Sequence, residues 1–138
     1  MKPASFILQE LVGPETFSAR GERAWELLDP RALITLQALR DALGPCTVNN
    51  WHAGGSYQES GLRDFHTSTG AAYSQHKCGR AYDCKFKSVN PHEALTYVQA
   101  NRSKFPYLTV VENPDATPTW FHFDTRFTNR DEIWVVNP

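Results

Sequence analysis

The stretch TWFHFDTRF, residues 119–127, alternates aromatic and polar side chains with a period of two. Successive side chains of a β-strand point to opposite faces of its sheet, so this pattern favours a strand over a helix. One face of the strand carries the phenylalanines, Phe121, Phe123 and Phe127. The opposite face carries Trp120, His122, Asp124 and Arg126. We therefore expect an aromatic face that packs on the core, with His122 pointing away from that core.

Helical patterns occupy the N-terminal third of the chain. Residues 14–28 have the composition of one helix, and Asp29 and Pro30 then supply an N-cap and a proline at the first position of a second helix. Apolar residues of that second helix fall on one face: Ala32, Leu36, Leu39 and Leu43. Gly44 is well placed to end the helix.

The rest of the chain combines a long loop, one helix and several strands. The segment TVNNW is a short strand candidate. The polar, glycine-rich residues that follow it indicate a long loop, and loops of this length in compact domains are often functional. Asn90, Pro91 and Glu93 have the pattern of a capping box at a third helix. YLTVVE, TWFHFDTRF and IWVVN are the remaining strand candidates. Helices followed by mainly antiparallel strands predict an α+β fold with the N-terminal helices packed on the sheet.

Length and composition predict one globular domain over residues 1–138, and we expect a monomer. The 14 Lys and Arg residues against 15 Asp and Glu residues form no basic run that would track a phosphate backbone, so nucleic acid is not the expected partner. No stretch approaches the ~20 apolar residues of a membrane span. The opening residues lack the pattern of a signal peptide, so we expect synthesis and retention in a cytoplasm.

The stretch SQHKCGRAYDCKF, residues 74–86, is the first candidate for a metal site. Strand alternation places Ala81 and Asp83 on one face and Tyr82, Cys84 and Phe86 on the other. A carboxylate such as Asp83 is energetically costly to bury without a partner. Two imidazoles and one carboxylate can bind zinc as three protein ligands and leave the fourth coordination position open. His76, Asp83 and a distant His122 would fit, but spacing alone does not rank them above His52, His66 and His92.

The three cysteines are alternative candidates for metal ligands. Their number is odd and their spacing is not that of a zinc knuckle, so we expect reduced thiols in Cys46, Cys78 and Cys84. Alternation turns Cys84 away from Asp83, and Cys78 falls in the turn after His76. Buried, unreactive cysteines are therefore favoured over cysteine ligands.

Two motifs together carry a family resemblance. The pattern S-x-H-x-x-G-x-A-x-D, followed by an aromatic-x-H-x-D strand, resembles the zinc D-Ala-D-Ala carboxypeptidase-like peptidases, a group that includes phage endolysins and is related in fold to the hedgehog signalling domain. The matching residues are Ser74, His76, Gly79, Ala81 and Asp83 in the first motif, with His122 and Asp124 in the second. The resemblance spans roughly residues 49–126. It implies that His76, Asp83 and His122 are the zinc ligands.

The same resemblance suggests a substrate-binding arginine. The segment ESGLR is similar to the S-G-Y-R segment upstream of the zinc motif in this group, although Leu62 replaces the usual aromatic residue. Arg63 would then hold a carboxylate or carbonyl of the substrate, for which the planar guanidinium is suited. The alternative is an exposed loop arginine without such a role.

The general base is where the chain departs from the family. Many relatives carry a glutamate three residues before the last histidine, but Thr119 occupies that position here. The acidic candidates are Glu112, Asp115 and Asp124. If Glu112 pairs with Trp120 across a hairpin, it shares the face of His122, whereas a slip of one residue turns it away. We predict Glu112 as the base, with Asp124 able to support the His122 ring instead.

The resemblance implies a zinc metallopeptidase acting on peptidoglycan. The expected reaction is hydrolysis of an amide bond in a stem or cross-bridge peptide, by carboxypeptidase or endopeptidase cleavage. A phage or prophage lysis protein, released to the cell wall by a membrane-permeabilising partner, would have such an activity. The alternative is a non-catalytic, zinc-stabilised binding module of the same fold.

Overall fold

The computed structural model describes residues 2–138, and the fold in this range is α+β, as predicted. It contains three α-helices: α1 (Pro14–Arg20), α2 (Pro30–Leu43) and α3 (Pro91–Ala100). Five strands form one mixed sheet: β1 (Cys46–Thr47), β2 (Ala81–Phe86), β3 (Val110–Glu112), β4 (Phe121–Asp124) and β5 (Trp134–Val136). No helix in this part of the chain is long and apolar enough to cross a membrane.

Local capping explains where the two longer helices begin. The Asp29 side chain accepts a hydrogen bond from the Arg31 backbone N–H at the start of α2, and Pro30 follows it. Asn90 and Glu93 form the predicted capping box of α3. Residues 14–28, however, do not form one helix. The chain adopts a positive φ of 55° at Gly21, where α1 ends and a 3₁₀ segment, Gly21–Leu27, takes over.

The strand order is β1-β2-β4-β3-β5. All neighbouring strands are antiparallel except β3 and β5, which are parallel. The strands are shorter than the sequence predicts, and β4 ends at Asp124. Phe127 therefore lies beyond the strand and is 89% exposed, so its predicted place on the aromatic face is wrong.

The aromatic face of the central strands packs on the N-terminal helices. Tyr82 and Phe123 are fully buried and belong to one hydrophobic core with the predicted apolar face of α2. Cys84 lies in this core, as its alternation with Asp83 predicts. Burial of the core face leaves the opposite face of β2 and β4 for polar residues, and the candidate site lies there.

The three cysteines have free thiols. Cys84 is buried and Cys46 is half-buried, but Cys78 is exposed, so the expectation of a buried thiol is wrong for Cys78. Cys78 is the last residue of the 3₁₀ segment Gln75–Cys78, which buries His76 and leaves Cys78 on the solvent side.

Candidate metal centre

The register between β2 and β4 brings Asp83 and His122 together. These two residues are direct partners across the antiparallel pair, so their side chains leave the sheet side by side. His76 comes from a 3₁₀ turn, Gln75–Cys78, that immediately precedes β2. The Ser74 hydroxyl accepts a hydrogen bond from the His76 backbone N–H and caps that turn. A local turn and a long-range strand pairing thus bring the three side chains together.

The three side chains are close enough to share one ion. Asp83 Oδ1 lies 2.8 Å from His122 Nδ1 and 3.2 Å from His76 Nε2. One donor atom from each residue falls within 4.8 Å of the others. Both imidazoles are buried and Asp83 is 15% exposed. Within residues 2–138 this is the one group of this kind, and it could hold a metal ion.

The other nitrogen of each imidazole has its own partner. His76 Nδ1 lies 2.9 Å from the Gly61 carbonyl oxygen, which can only accept a hydrogen bond, so Nδ1 carries the proton. His122 Nε2 lies 3.1 Å from Asp124 Oδ2. These contacts leave His76 Nε2 and His122 Nδ1 as the nitrogens directed at Asp83. A metal ligand requires an unprotonated nitrogen, and outer partners of this kind select it.

Arg126 completes the support of His122. Its guanidinium binds the fully buried Asp124 carboxylate through two nitrogens, at 2.8 Å and 2.5 Å. Burial alone would raise the pKa of Asp124, but the hydrogen bonds from Arg126 and His122 lower it below the usual value. Asp124 therefore stays ionised beside the His122 ring. Support of this ring is the role that the sequence suggested for Asp124 as an alternative to the general base.

Charges within the cluster shift the pKa values of its members. Burial disfavours the ionised form of Asp83, yet hydrogen bonds from His122 and His76 outweigh burial and hold its pKa well below the usual value. Burial likewise opposes the charged form of His122, but hydrogen bonds to Asp124 and Asp83 raise its pKa to about 9. Without metal, the site is therefore an imidazolium between carboxylates at neutral pH.

Glu112 lies beside the cluster. The ladder pairs Val110 with Asp124, and the next position along the same face sets Glu112 opposite His122. The pairing of Glu112 with Trp120 that the sequence suggests differs from this register by two residues. A shift of two residues leaves Glu112 on the same face as His122. Glu112 Oε1 lies 3.7 Å from His122 Nδ1. Asp115 is instead exposed and binds His92 at 2.7 Å.

Arg63 is not an exposed loop arginine. Its side chain is 12% exposed, and its Nε donates to the Glu59 carbonyl at 3.1 Å. Its Nη2 lies 4.0 Å from Asp83 Oδ2. The guanidinium is therefore held at the edge of the cluster with one nitrogen directed at the Asp83 carboxylate.

An open cleft of about 370 Å³ adjoins Asp83. It is lined by residues 56–60 together with Arg63, Asp83, Lys85, Thr119 and Trp120. The long loop predicted from sequence thus forms one wall of the cleft, and the segment preceding β4 forms another. Of the three clustered side chains, Asp83 is the one that lines this cleft.

The remaining histidines lie outside this centre. His52, His66 and His92 are exposed, and only His66 and His92 approach a carboxylate, each at the surface. Sequence patterns did not indicate two groups next to the centre: the Gly61 carbonyl, which binds His76, and Lys85, which lines the cleft. Alternation along β2 could have found Lys85, because it follows Asp83 by two residues on the same face. A backbone carbonyl leaves no comparable signal.

Comparisons of the chain with known protein families, with curated proteins and with solved structures find no match. The assignment of a function therefore depends on the chemistry of the site and on the motifs that the sequence carries.

Proposed function

We propose that this protein is a zinc-dependent peptidase that hydrolyses an amide bond in peptidoglycan stem or cross-bridge peptides. The observation that carries the proposal is the convergence of two imidazole nitrogens and one carboxylate within 4.8 Å, beside an open cleft and a further carboxylate. Such a set leaves a coordination position free, as in catalytic zinc sites.

The donor set fits zinc. His76 Nε2, His122 Nδ1 and an Asp83 oxygen would hold the ion, and nitrogen donors favour zinc over calcium or magnesium, which prefer oxygen. The Gly61 carbonyl and Asp124 fix both rings from behind. When bound, zinc supplies Lewis acidity, which makes a water molecule nucleophilic at neutral pH and polarises the substrate carbonyl.

The chain's own residues then handle the proton and the substrate. Glu112 accepts a proton from the attacking water and returns it to the leaving amine, because its carboxylate lies 3.7 Å from a proposed ligand atom. Arg63 donates a hydrogen bond through Nη2 to a carbonyl or carboxylate of the substrate, and the Glu59 carbonyl holds the guanidinium in place. Asp124 keeps the His122 ring in orientation.

The substrate class comes from the motif resemblance. The spacing of Ser74, His76, Gly79, Ala81 and Asp83, with His122 and Asp124 downstream, resembles that of the zinc D-Ala-D-Ala carboxypeptidase-like peptidases, a group that includes phage endolysins. A lysis protein that a membrane-permeabilising partner releases to the wall is the cellular role that suits this activity.

Mass spectrometry of purified peptidoglycan digested by the zinc-loaded protein tests the proposal directly. We expect release of peptide fragments that identifies the cleaved bond, and loss of that release after chelation of the metal. Several wall chemotypes are needed, because the cross-bridge differs among them. Bound zinc with no fragment released from any chemotype would contradict the peptidase and favour the non-catalytic binding module.

A further inference from the structure

One short segment, residues 59–63, supports the candidate metal centre from behind without contributing a metal ligand. The Ser60 carbonyl accepts a hydrogen bond from the Asp83 backbone N–H at 2.8 Å. The next carbonyl, that of Gly61, accepts from His76 Nδ1 at 2.9 Å. A displacement of this segment would therefore move the acceptors of two proposed ligands at once.

The segment also approaches the N-terminal region closely. The Leu62 backbone N–H donates to the Leu11 carbonyl at 2.8 Å, and a Cβ at Gly61 would lie 2.2 Å from the same oxygen. Only glycine permits this approach, so the backbone next to the carbonyl that binds His76 is held against the core.

Lys85 binds this segment to the sheet. Its Nζ donates to the Ser60 hydroxyl at 2.7 Å and to the Val48 carbonyl at 2.6 Å. The Tyr57 ring covers the ammonium group, with its centroid 4.1 Å from Nζ. Hydrogen bonds from a charged donor are stronger than neutral ones, and partial burial strengthens them further. Lys85 is therefore a fixed link between β2, the residues after β1 and Ser60.

We propose that Lys85 is a positioning residue of the metal centre. Its ammonium group holds Ser60, and through Ser60 it holds the Gly61 carbonyl that orients the His76 ring. This inference rests on the proposed metal-dependent function. Loss of an outer partner of a metal ligand typically lowers metal affinity about 10-fold to 100-fold, and an effect near the lower end is expected because Lys85 acts through one intervening residue.

The Lys85→Met variant tests the role, and Lys87→Met is its matched control. Methionine keeps an unbranched side chain and removes the charge, while Lys87 is an exposed lysine just beyond the same strand. Zinc affinity is measured by competition with a chromophoric chelator, and the geometry of the site by the visible spectrum of the Co²⁺-loaded protein. We expect Lys85→Met to bind zinc about 10-fold more weakly with an altered Co²⁺ spectrum, and Lys87→Met to match the wild type.

The Ser60→Ala variant keeps the test decisive if Lys85→Met fails to fold. Asn49 Oδ1 still accepts from the Ser60 backbone N–H at 2.9 Å, so the segment stays attached when the hydroxyl is lost. We expect Ser60→Ala to weaken zinc binding in the same direction, and Lys85→Met to add little in a Ser60→Ala background. Unchanged affinity and Co²⁺ spectrum in Ser60→Ala would overturn the role of Lys85. A wild type that binds no metal would instead overturn the proposed function and this inference with it.

Discussion

Asp83 is the residue that determines the chemistry of the site. Its Oδ1 contacts both imidazoles, at 2.8 Å and 3.2 Å, and its pKa is held well below the usual value, so it is ionised at neutral pH. A buried carboxylate needs a positive partner. In the metal-free protein the His122 imidazolium provides that charge, and a bound cation would replace it. Metal binding and protonation of His122 are therefore alternatives.

Glu112 is the residue whose role is most easily separated from metal binding. We expect Glu112→Gln to bind zinc as the wild type does but to hydrolyse peptidoglycan about 100-fold to 10,000-fold more slowly, because the amide cannot accept the proton. Fragment release and zinc content are the measurements, and Asp115→Asn, at an exposed carboxylate, is the control. Full activity in Glu112→Gln would show that another group is the base, while leaving the peptidase itself in place.

The raised pKa of His122 predicts how the stability of the metal-free protein depends on pH. A pKa raised from 6.5 to about 9 means that folding favours the imidazolium, by about 3 kcal/mol in all. This stabilisation is fully present below about pH 6.5 and is lost as the pH rises through about 9. Urea unfolding of the metal-free protein between pH 6 and pH 10 measures it. The His122→Gln variant should lack this dependence, and an equal slope in both proteins would contradict the assignment.

At the scale of elements, the site depends on two strands and one turn. The β2–β4 register aligns Asp83 with His122, and a slip of one residue would turn either side chain into the core. The turn Gln75–Cys78 must also place His76 beside them. It ends at Gly79, whose φ is +68° and whose carbonyl accepts from the Asp29 backbone N–H at the start of α2. The turn and the helix are thereby joined.

The Gly79→Ala variant measures how closely this turn is constrained. A Cβ at Gly79 would lie 2.1 Å from the Leu27 carbonyl oxygen, and the positive φ adds strain. We expect the free energy of unfolding, measured by urea denaturation, to fall by about 1–3 kcal/mol from the positive φ and by a further ~1–3 kcal/mol from the close contact. Gly54→Ala is the matched control, because Gly54 also has a positive φ, +88°, but a Cβ there meets nothing within 4 Å. Equal losses in both variants would mean that the close approach to Leu27 costs nothing.

At the scale of the whole molecule, zinc binding should stabilise the fold. The three proposed ligands lie on β2, β4 and the preceding turn, which unfolding separates, so an ion bound by all three favours the folded state. At free zinc about 1,000 times the Kd, the gain is about 4 kcal/mol, which would raise the Tm by roughly 10–20 °C. Calorimetry with zinc and with chelator measures this shift.

Two histidine variants show whether the shift comes from the proposed centre. His92→Ala, at an exposed histidine, should keep the full rise in Tm. His122→Ala removes a ligand and should lose most of it. A rise of equal size in both variants would place the stabilising zinc elsewhere.

Local patterns in the sequence predicted much of the fold. The caps at Asp29 and Asn90 and the alternation in β2 and β4 depend on neighbouring residues, so the helices begin and the core faces lie where expected. The prediction of one helix over residues 14–28 was wrong, because composition does not reveal the positive φ at Gly21 that ends α1. Phe127 was also misplaced, because a strand's end depends on where its partner stops.

The sequence alone determined the types of donor, two histidines and an aspartate, and the faces on which strand alternation sets them. The motif resemblance indicated His76 and His122, but only the tertiary structure brings His122 to that aspartate, because pairing between β2 and β4 joins residues 39 positions apart, a distance that no local pattern encodes. The tertiary structure also decided that Glu112 lies beside His122 and that Asp115 does not contact the cluster, through the register of β3. The supports from Gly61 and Lys85 are tertiary as well, because backbone carbonyls and a lysine's hydrogen bonds are defined only once distant segments have packed.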